Sequence, residues 1–226
     1  MRCAGAAFII VPVLPRVYPI VDTATLASCG MDPVEFAAAL VDGGARWLQF
    51  RHKGAYTAER FEQLHSVAAL CRDAGAQLIV NDRADLAAIL DAGLHVGQGD
   101  LRPEVARGVI GAALLGLSTN GPEQMRAAAR EPVDYVALGP IFATSSKPDA
   151  DAAVGLEVLR ACRALTARPL VAIGGITLVN ATEVLEAGAD SVAVIRGLLA
   201  ESSAGAAPRL RDARARMEEW IRRVGA

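Results

Sequence analysis

Apolar and β-branched residues gather along the chain in short continuous runs, bounded by Gly, Asp or Asn, at 17–21, 47–50, 77–80, 94–96, 113–117, 135–138, 170–173 and 191–195. These eight runs read as strands. Between them lie Ala-rich stretches whose apolar positions return at helical spacing, at 33–42, 58–74, 121–130, 155–166 and 178–187, several opening on a Pro, Asp, Thr or Gly that suits a helix start. A half-buried strand alternates polar with apolar residues. LVAI at 170–173 and VAVI at 192–195 do not alternate, so helices are predicted to cover both faces of these strands. Eight such units in this length predict an α/β fold with a single (β/α)8 TIM barrel. An open doubly wound sheet competes with it, but no Gly-x-Gly-x-x-Gly follows the first strand, and eight units closing on themselves leave no sheet edge. Residues 17–226 are therefore expected to form one barrel domain. Residues 1–16 read as an N-terminal extension, because the apolar stretch 4–14 is interrupted by Pro12, followed by Pro15 and too short to span a bilayer. The small and polar segment 200–208 leads into a charged last helix at 209–224.

Composition narrows the ligand. The 226 residues are 53% apolar, enough for one buried core, and carry a net charge of −2 with only 4% aromatics. That balance excludes nucleic-acid binding by bulk electrostatics and argues against base-stacking platforms. Small phosphorylated substrates are the predicted partners, with no nucleic acid and no membrane, and a homo-oligomer is compatible with the sequence. Cys3, Cys29, Cys71 and Cys162 are scattered without a Cys-x-x-Cys pair, which predicts reduced thiols in a cytoplasmic protein. His52, His65 and His95 share no metal-binding spacing, and no Ser stands in a Gly-x-Ser-x-Gly elbow, so zinc and serine hydrolase chemistry are disfavoured.

In a barrel, chemistry sits at the carboxyl ends of the strands and in the loops that follow. After the second strand, alternation in QFRHKG at 49–54 points Gln49, Arg51 and Lys53 to one side and Phe50 to the other. A salt-bridged strand end would look the same. Asp82 follows the third strand and Asp100 the fourth, so both carboxylates can reach one point, where hard oxygen ligands suit Mg²⁺. Asp also serves as a helix cap, the role expected of Asp85. The loop after the sixth strand, 139–149, is long and hydroxyl-rich and carries Lys147. Gly174-Gly175 after the seventh strand and Arg196-Gly197 after the eighth lie where barrels commonly bind phosphate on backbone N–H groups. Close packing would equally require the glycine pair. The combination points to two anion sites in one mouth and to the joining of two phosphorylated molecules with loss of pyrophosphate.

From Tyr18 to about Leu199 the chain resembles the thiamine phosphate synthase family. The matching segments are QFRHKG at 49–54, VNDRADLA at 80–87, HVGQGD at 95–100, GLS at 116–118, DYVALGPIFATSSK at 134–147, AIGGIT at 172–177 and GADSVAVI at 188–195, all in the family's order. The resemblance implies coupling of a hydroxymethylpyrimidine diphosphate to a thiazole phosphate, with Mg²⁺ as cofactor. It implies that Gln49, Arg51, Lys53, Asn81 and Lys147 hold the pyrimidine diphosphate and that Asp82 and Asp100 are the Mg²⁺ ligands. Thr144, Ser146 and Gly175, with backbone at Ile195 and Arg196, would hold the thiazole phosphate, and Ser118 would lie near the leaving pyrophosphate. Lys147, Arg51 and Ser118 are the implied catalytic residues.

Four positions depart from the family pattern. His52 replaces a frequent Glu, and alternation points it away from the mouth. Asn120 stands where a His is usual, which favours a synthase over a related thiazole aromatase. Eighteen positions separate Asp82 from Asp100, one fewer than usual, with the deletion placed near 91–93. Arg196 replaces a frequent Ser. A non-catalytic, phosphate-binding regulatory barrel is the remaining alternative, although such a protein would be expected to lose the cations and aspartates retained here.

Overall fold

The computed structural model describes residues 13–144, 152–199 and 210–225. Eight parallel strands follow one another around the sheet: β1 (Val17–Asp22), β2 (Trp47–Arg51), β3 (Gln77–Asn81), β4 (Gly93–Val96), β5 (Leu115–Thr119), β6 (Tyr135–Leu138), β7 (Leu170–Ile173) and β8 (Ser191–Val194). Pairing of Tyr18 with Ala193 joins β1 to β8 and closes the predicted barrel. Outside it lie α1 (Thr23–Ser28), α2 (Pro33–Asp42), α3 (Ala58–Asp73), α4 (Ala84–Ile89), α5 (Pro103–Ile110), α6 (Pro122–Ala128), α7 (Gly155–Arg163), α8 (Ala181–Glu186) and α9 (Leu210–Val224). Most of the predicted extension, and the segment before α9, lie outside the described residues.

Strand alternation divides the core in two. In β2, Leu48 and Phe50 join the layer between strands and helices, whereas Trp47 belongs to the barrel interior with Tyr18, Ile79, Tyr135 and Val171. The three interior aromatic rings meet edge to face, with centroids 5.6–6.2 Å apart. On the outside, Ala213, Met217, Trp220 and Val224 form the buried stripe of α9, which packs on α2 and β1. A Cβ at Gly43 would lie 2.8 Å from Arg214 O and Met217 Cβ, so the close approach of α9 to the end of α2 depends on that glycine.

Several boundaries differ from those read in the sequence. The fifth strand begins at Leu115 and runs through Ser118 to Thr119, because these residues pair with Ala137 and Leu138 of β6. Ser118 is thus a strand residue. The sixth helix ends at Ala128, where Arg130 and Glu131 N–H groups close tight turns onto Ala127 and Ala128 carbonyls ahead of Pro132. The helix expected from 178 starts at Ala181, because Asn180 Oδ1 takes the Thr177 N–H at 2.8 Å and holds the chain in a turn. Strand β8 ends at Val194, one residue short of Ile195.

Cys71 and Cys162 are buried beneath α3 and α7, and burial pushes the Cys71 thiol up to about 12 and the Cys162 thiol above its ordinary value. Alkylation needs the thiolate and access to it. Iodoacetamide at pH 8 is therefore expected to label these two cysteines only after unfolding, as read by mass spectrometry of peptides. Labelling of either in the native protein at the unfolded rate would contradict this packing.

Candidate active site

The first half of the mouth is built by β1 to β4. Arg51, at the end of β2, forms an ion pair with Asp22 at the end of β1, and Asp22 is only 2% exposed. The other Asp22 oxygen accepts from Thr25 N–H at 2.8 Å and Thr25 Oγ1 at 2.7 Å, so the same carboxylate also caps α1. Lys53 Nζ lies 2.5 Å from Asp82. Gln49 is buried and donates from Nε2 to Tyr18 Oη at 3.0 Å. Asn81 Nδ2 is a buried donor with no hydrogen-bond partner among the described residues. The His52 ring meets Thr23 Oγ1 at 2.8 Å and lies edge-on to Tyr56, apart from the Gln49 and Arg51 contacts.

Asp82 and Asp100 come together despite the shortened spacing, close enough for each carboxyl group to shift the titration of the other. The backbone at Asp82 is left-handed, with φ 65°, a conformation that non-glycine residues adopt rarely and often at functional sites. Asp100 also accepts the Gly97 N–H at 2.8 Å. Burial raises the pKa of Asp82, and the contact with Asp100 raises it further against the pull of Lys53. Burial acts upward on Asp100 too, but the contact with Asp82 and the bond from Gly97 N–H, with Lys53 nearby, outweigh it and leave Asp100 below the usual range. Two carboxylates this close disfavour ionisation of both, a situation a bound cation would relieve. Two hard carboxylate oxygens fit Mg²⁺ when water and substrate oxygens complete its shell. Among the described residues no cluster of three or more His, Cys, Asp or Glu is placed to hold a metal ion. Asp85 is not a cap: it lies inside the first turn of α4 and pairs with Arg83.

The second half, from β4 to β8, encloses a cavity of about 420 Å³ lined by Ser118, Asn120, Thr144, Gly175, Ile195 and Arg196, among others. Gly174 and Gly175 have φ of 102° and 64°. A Cβ on Gly174 would lie 2.4 Å from Pro140 Cβ, and one on Gly175 2.6 Å from Ala143 O. Close packing against the loop after β6 therefore accounts for the glycine pair. That loop continues along β7, since Ile141 and Phe142 N–H groups donate to Ile173 and Gly174 carbonyls. On the other side, Gly197 O accepts from Trp220 Nε1 at 2.9 Å and Arg216 Nε at 3.0 Å, so α9 anchors the turn that carries Arg196. Arg196 is exposed and has no ion pair with α9, whose Glu218 and Glu219 pair with Arg214 and Arg216. Ser146 and Lys147 lie outside the described residues.

The structure adds residues that the sequence reading passed over. Asp22 ends an apolar run in VYPIVD and could have been flagged by the rule that found Asp82. Gln98 Nε2 donates to Ser118 O at 2.6 Å from the next loop. Tyr18, Tyr135 and His95 give no local signal, because two read as core aromatics and the third has no metal-binding spacing.

A closed βα barrel with cations and paired carboxylates on one side of its mouth, and a glycine-framed cavity on the other, belongs to the enzyme barrels that handle small phosphorylated molecules. The family model described as thiamine monophosphate synthase matches residues 17–198. The chain is 49% identical over 197 residues to a thiamine-phosphate synthase of Koribacter versatilis, covering 83% of this chain and 90% of that one. A thiamine-phosphate synthase of Chloroflexus aurantiacus is 46% identical over 172 residues, covering 76% and 80%. Among solved structures, thiamine phosphate pyrophosphorylase from Pyrococcus furiosus superposes with a TM-score of 0.78 at 34% identity, covering 92% and 95%. The chain belongs to the thiamine monophosphate synthase family and is a transferase of thiamine biosynthesis.

Proposed function

We propose that the protein couples 4-amino-2-methyl-5-hydroxymethylpyrimidine diphosphate to 4-methyl-5-(2-phosphoethyl)thiazole, plain or carboxylated, giving thiamine phosphate and pyrophosphate, with CO2 released as well from the carboxylated form. The observation that carries this reading is the arrangement of the mouth: Arg51, Lys53, Asp82 and Asp100 on one side, and the Gly175–Arg196 cavity on the other, with Ser118 on the cavity wall. Departure of pyrophosphate breaks a C–O bond and leaves an aminopyrimidine methyl cation. The thiazole nitrogen attacks it with a lone pair it already has, so no residue need act as general base. Arg51, Lys53 and Lys147 would hold the diphosphate as its charge grows, and Gln49 and Asn81 would orient the pyrimidine. Asp82 and Asp100 would hold Mg²⁺, which when bound neutralises diphosphate charge. Thr144, Ser146, Gly175 and the backbone at Ile195 and Arg196 would cradle the thiazole phosphate. The buried thiols Cys71 and Cys162 support a cytoplasmic setting.

Mixing the purified protein with both substrates and Mg²⁺ tests the proposal: thiamine phosphate and pyrophosphate should appear in equal amounts, and absence of both would refute it. An aromatase would instead convert the thiazole tautomer without the pyrimidine. Asn120 lines the cavity, and its amide does not exchange a proton near neutral pH as an imidazole does, so no aromatisation is expected. Catalysed aromatisation of the thiazole alone would reverse that preference.

Arg196 bears on a phosphate whose charge hardly changes during the reaction, so its contact is uniform binding. Arg196→Ser is expected to raise KM for the thiazole phosphate about fivefold, roughly 1 kcal/mol, with kcat nearly unchanged and the effect smaller at high salt. A fall in kcat at saturation, or a shift in KM for the diphosphate, would place Arg196 elsewhere.

A further inference from the structure

A continuous hydrogen-bonded chain crosses the barrel interior from β2 to β5. Gln49 Nε2 meets Tyr18 Oη at 3.0 Å, Tyr18 Oη meets Tyr135 Oη at 3.1 Å, Tyr135 Oη meets His95 Nδ1 at 3.0 Å, and His95 Nε2 meets Ser118 Oγ at 2.9 Å. Both tyrosines are 1% exposed and His95 is 7% exposed, so water does not compete for these groups. Space for the central contact depends on Gly116, where a Cβ would lie 2.1 Å from Tyr135 Cζ and 2.5 Å from His95 Nδ1. Only the outer end of the chain, Ser118, reaches the cavity.

Counting protons along this chain gives it a direction. An amide nitrogen only donates, so Tyr18 Oη accepts from Gln49. Tyr18 has one hydroxyl proton, and Tyr135 Oη is its other hydrogen-bond partner among the described residues, so the proton goes there. The Tyr135 proton then goes to His95 Nδ1. That nitrogen is thereby an acceptor, and the neutral imidazole carries its proton on Nε2, aimed at Ser118 Oγ. Ser118 receives a bond from behind and keeps its own proton for the mouth. The opposite direction would give Tyr18 two incoming bonds and leave its buried proton without an acceptor, which is costly in such a site. Burial pushes both phenols well above their ordinary value, so each keeps its proton.

We propose that His95, with Tyr135 and Tyr18 behind it, is a positioning residue that makes Ser118 a hydrogen-bond donor into the mouth, toward the departing diphosphate. This rests on the reading above that Ser118 faces that leaving group. A donor already turned toward developing negative charge needs no reorientation as pyrophosphate leaves.

Nitrogen-15 NMR of the full chain labelled at histidine, at neutral pH and without substrates, tests the direction independently of activity, with His95→Gln identifying the signal. The expected result is the Nε2–H tautomer with an accepting Nδ1, and a dominant Nδ1–H tautomer would overturn the proposal. In steady-state assays Tyr135→Phe should lower kcat about tenfold, with KM for both substrates within about twofold. Combined with Ser118→Ala, it should cost nothing beyond Ser118→Ala alone, because its effect passes through that hydroxyl. Full additivity would assign Tyr135 a packing role only and overturn the proposal. His95→Gln, which keeps an N–H near the Nε2 position, should retain more turnover than His95→Asn, and the reverse order would count against it. If wild-type protein makes no coupled product, the functional reading fails on its own, while the tautomer still decides the direction of the chain.

Discussion

Arg51→Met is expected to slow turnover at saturating substrates about a hundredfold, roughly 3 kcal/mol, the usual cost of losing a donor whose contact strengthens in the transition state. The same substitution should also weaken the fold, because Arg51 is the ion-pair partner of an aspartate that is only 2% exposed. Without the guanidinium, one Asp22 oxygen keeps its Thr25 bonds and the other is left buried and charged. Breaking such a pair from one side costs about 3–5 kcal/mol, or roughly 10 °C in Tm for a chain of this size. Adding Asp22→Asn should recover much of the stability and none of the turnover, which separates the two roles. A near-normal rate in Arg51→Met would remove Arg51 from the diphosphate site. An unchanged Tm would show that the pair with Asp22 does not form.

Asp82→Asn and Asp100→Asn are each expected to raise the Mg²⁺ needed for half-maximal rate by about 10- to 100-fold, at least the cost of disturbing the surroundings of a metal ligand. Asparagine is the right probe at position 82 because it tolerates the left-handed backbone found there, so the loop should keep its shape. Stability without metal should move the other way. Asp82 is raised in the folded state, so the stability it contributes is full below the ordinary carboxylate range and is lost as pH rises through the raised value. At neutral pH the metal-free protein therefore bears the repulsion of the pair, which Asp82→Asn removes. Asp100, held low, acts in the opposite sense and at more acid pH. Melting curves from pH 4 to pH 7 should show Asp82→Asn gaining on the wild type as pH rises, and losing the Tm increase that Mg²⁺ with pyrophosphate gives the wild type. Unchanged metal dependence in both variants would return the aspartates to a structural role.

Much of the mouth is legible in local pattern. Residues 49–54 show by alternation alone that Gln49, Arg51 and Lys53 share a side, and Gln49 and Arg51 do turn from the Phe50 layer. Asp82 and Asp100 are legible as strand-end carboxylates, and the glycine pair as a place of close approach. The β5 boundary was not legible, because Ser118 and Thr119 are polar and join the strand only through their pairing with β6. The short helices α1 and α4 span too few turns to show an apolar stripe.

The sequence by itself determined the order of strands and helices, the closed α/β architecture and the end of the barrel where chemistry gathers, because each follows from periodicity over a few residues. Only the tertiary structure decided the partners. Asp22 faces Arg51 across 29 positions, and Tyr18 meets Tyr135 across 117. Neither pairing has a local signature. Barrel closure and strand register set which side chains share the interior, and the low dielectric there makes each polar group's partner decisive.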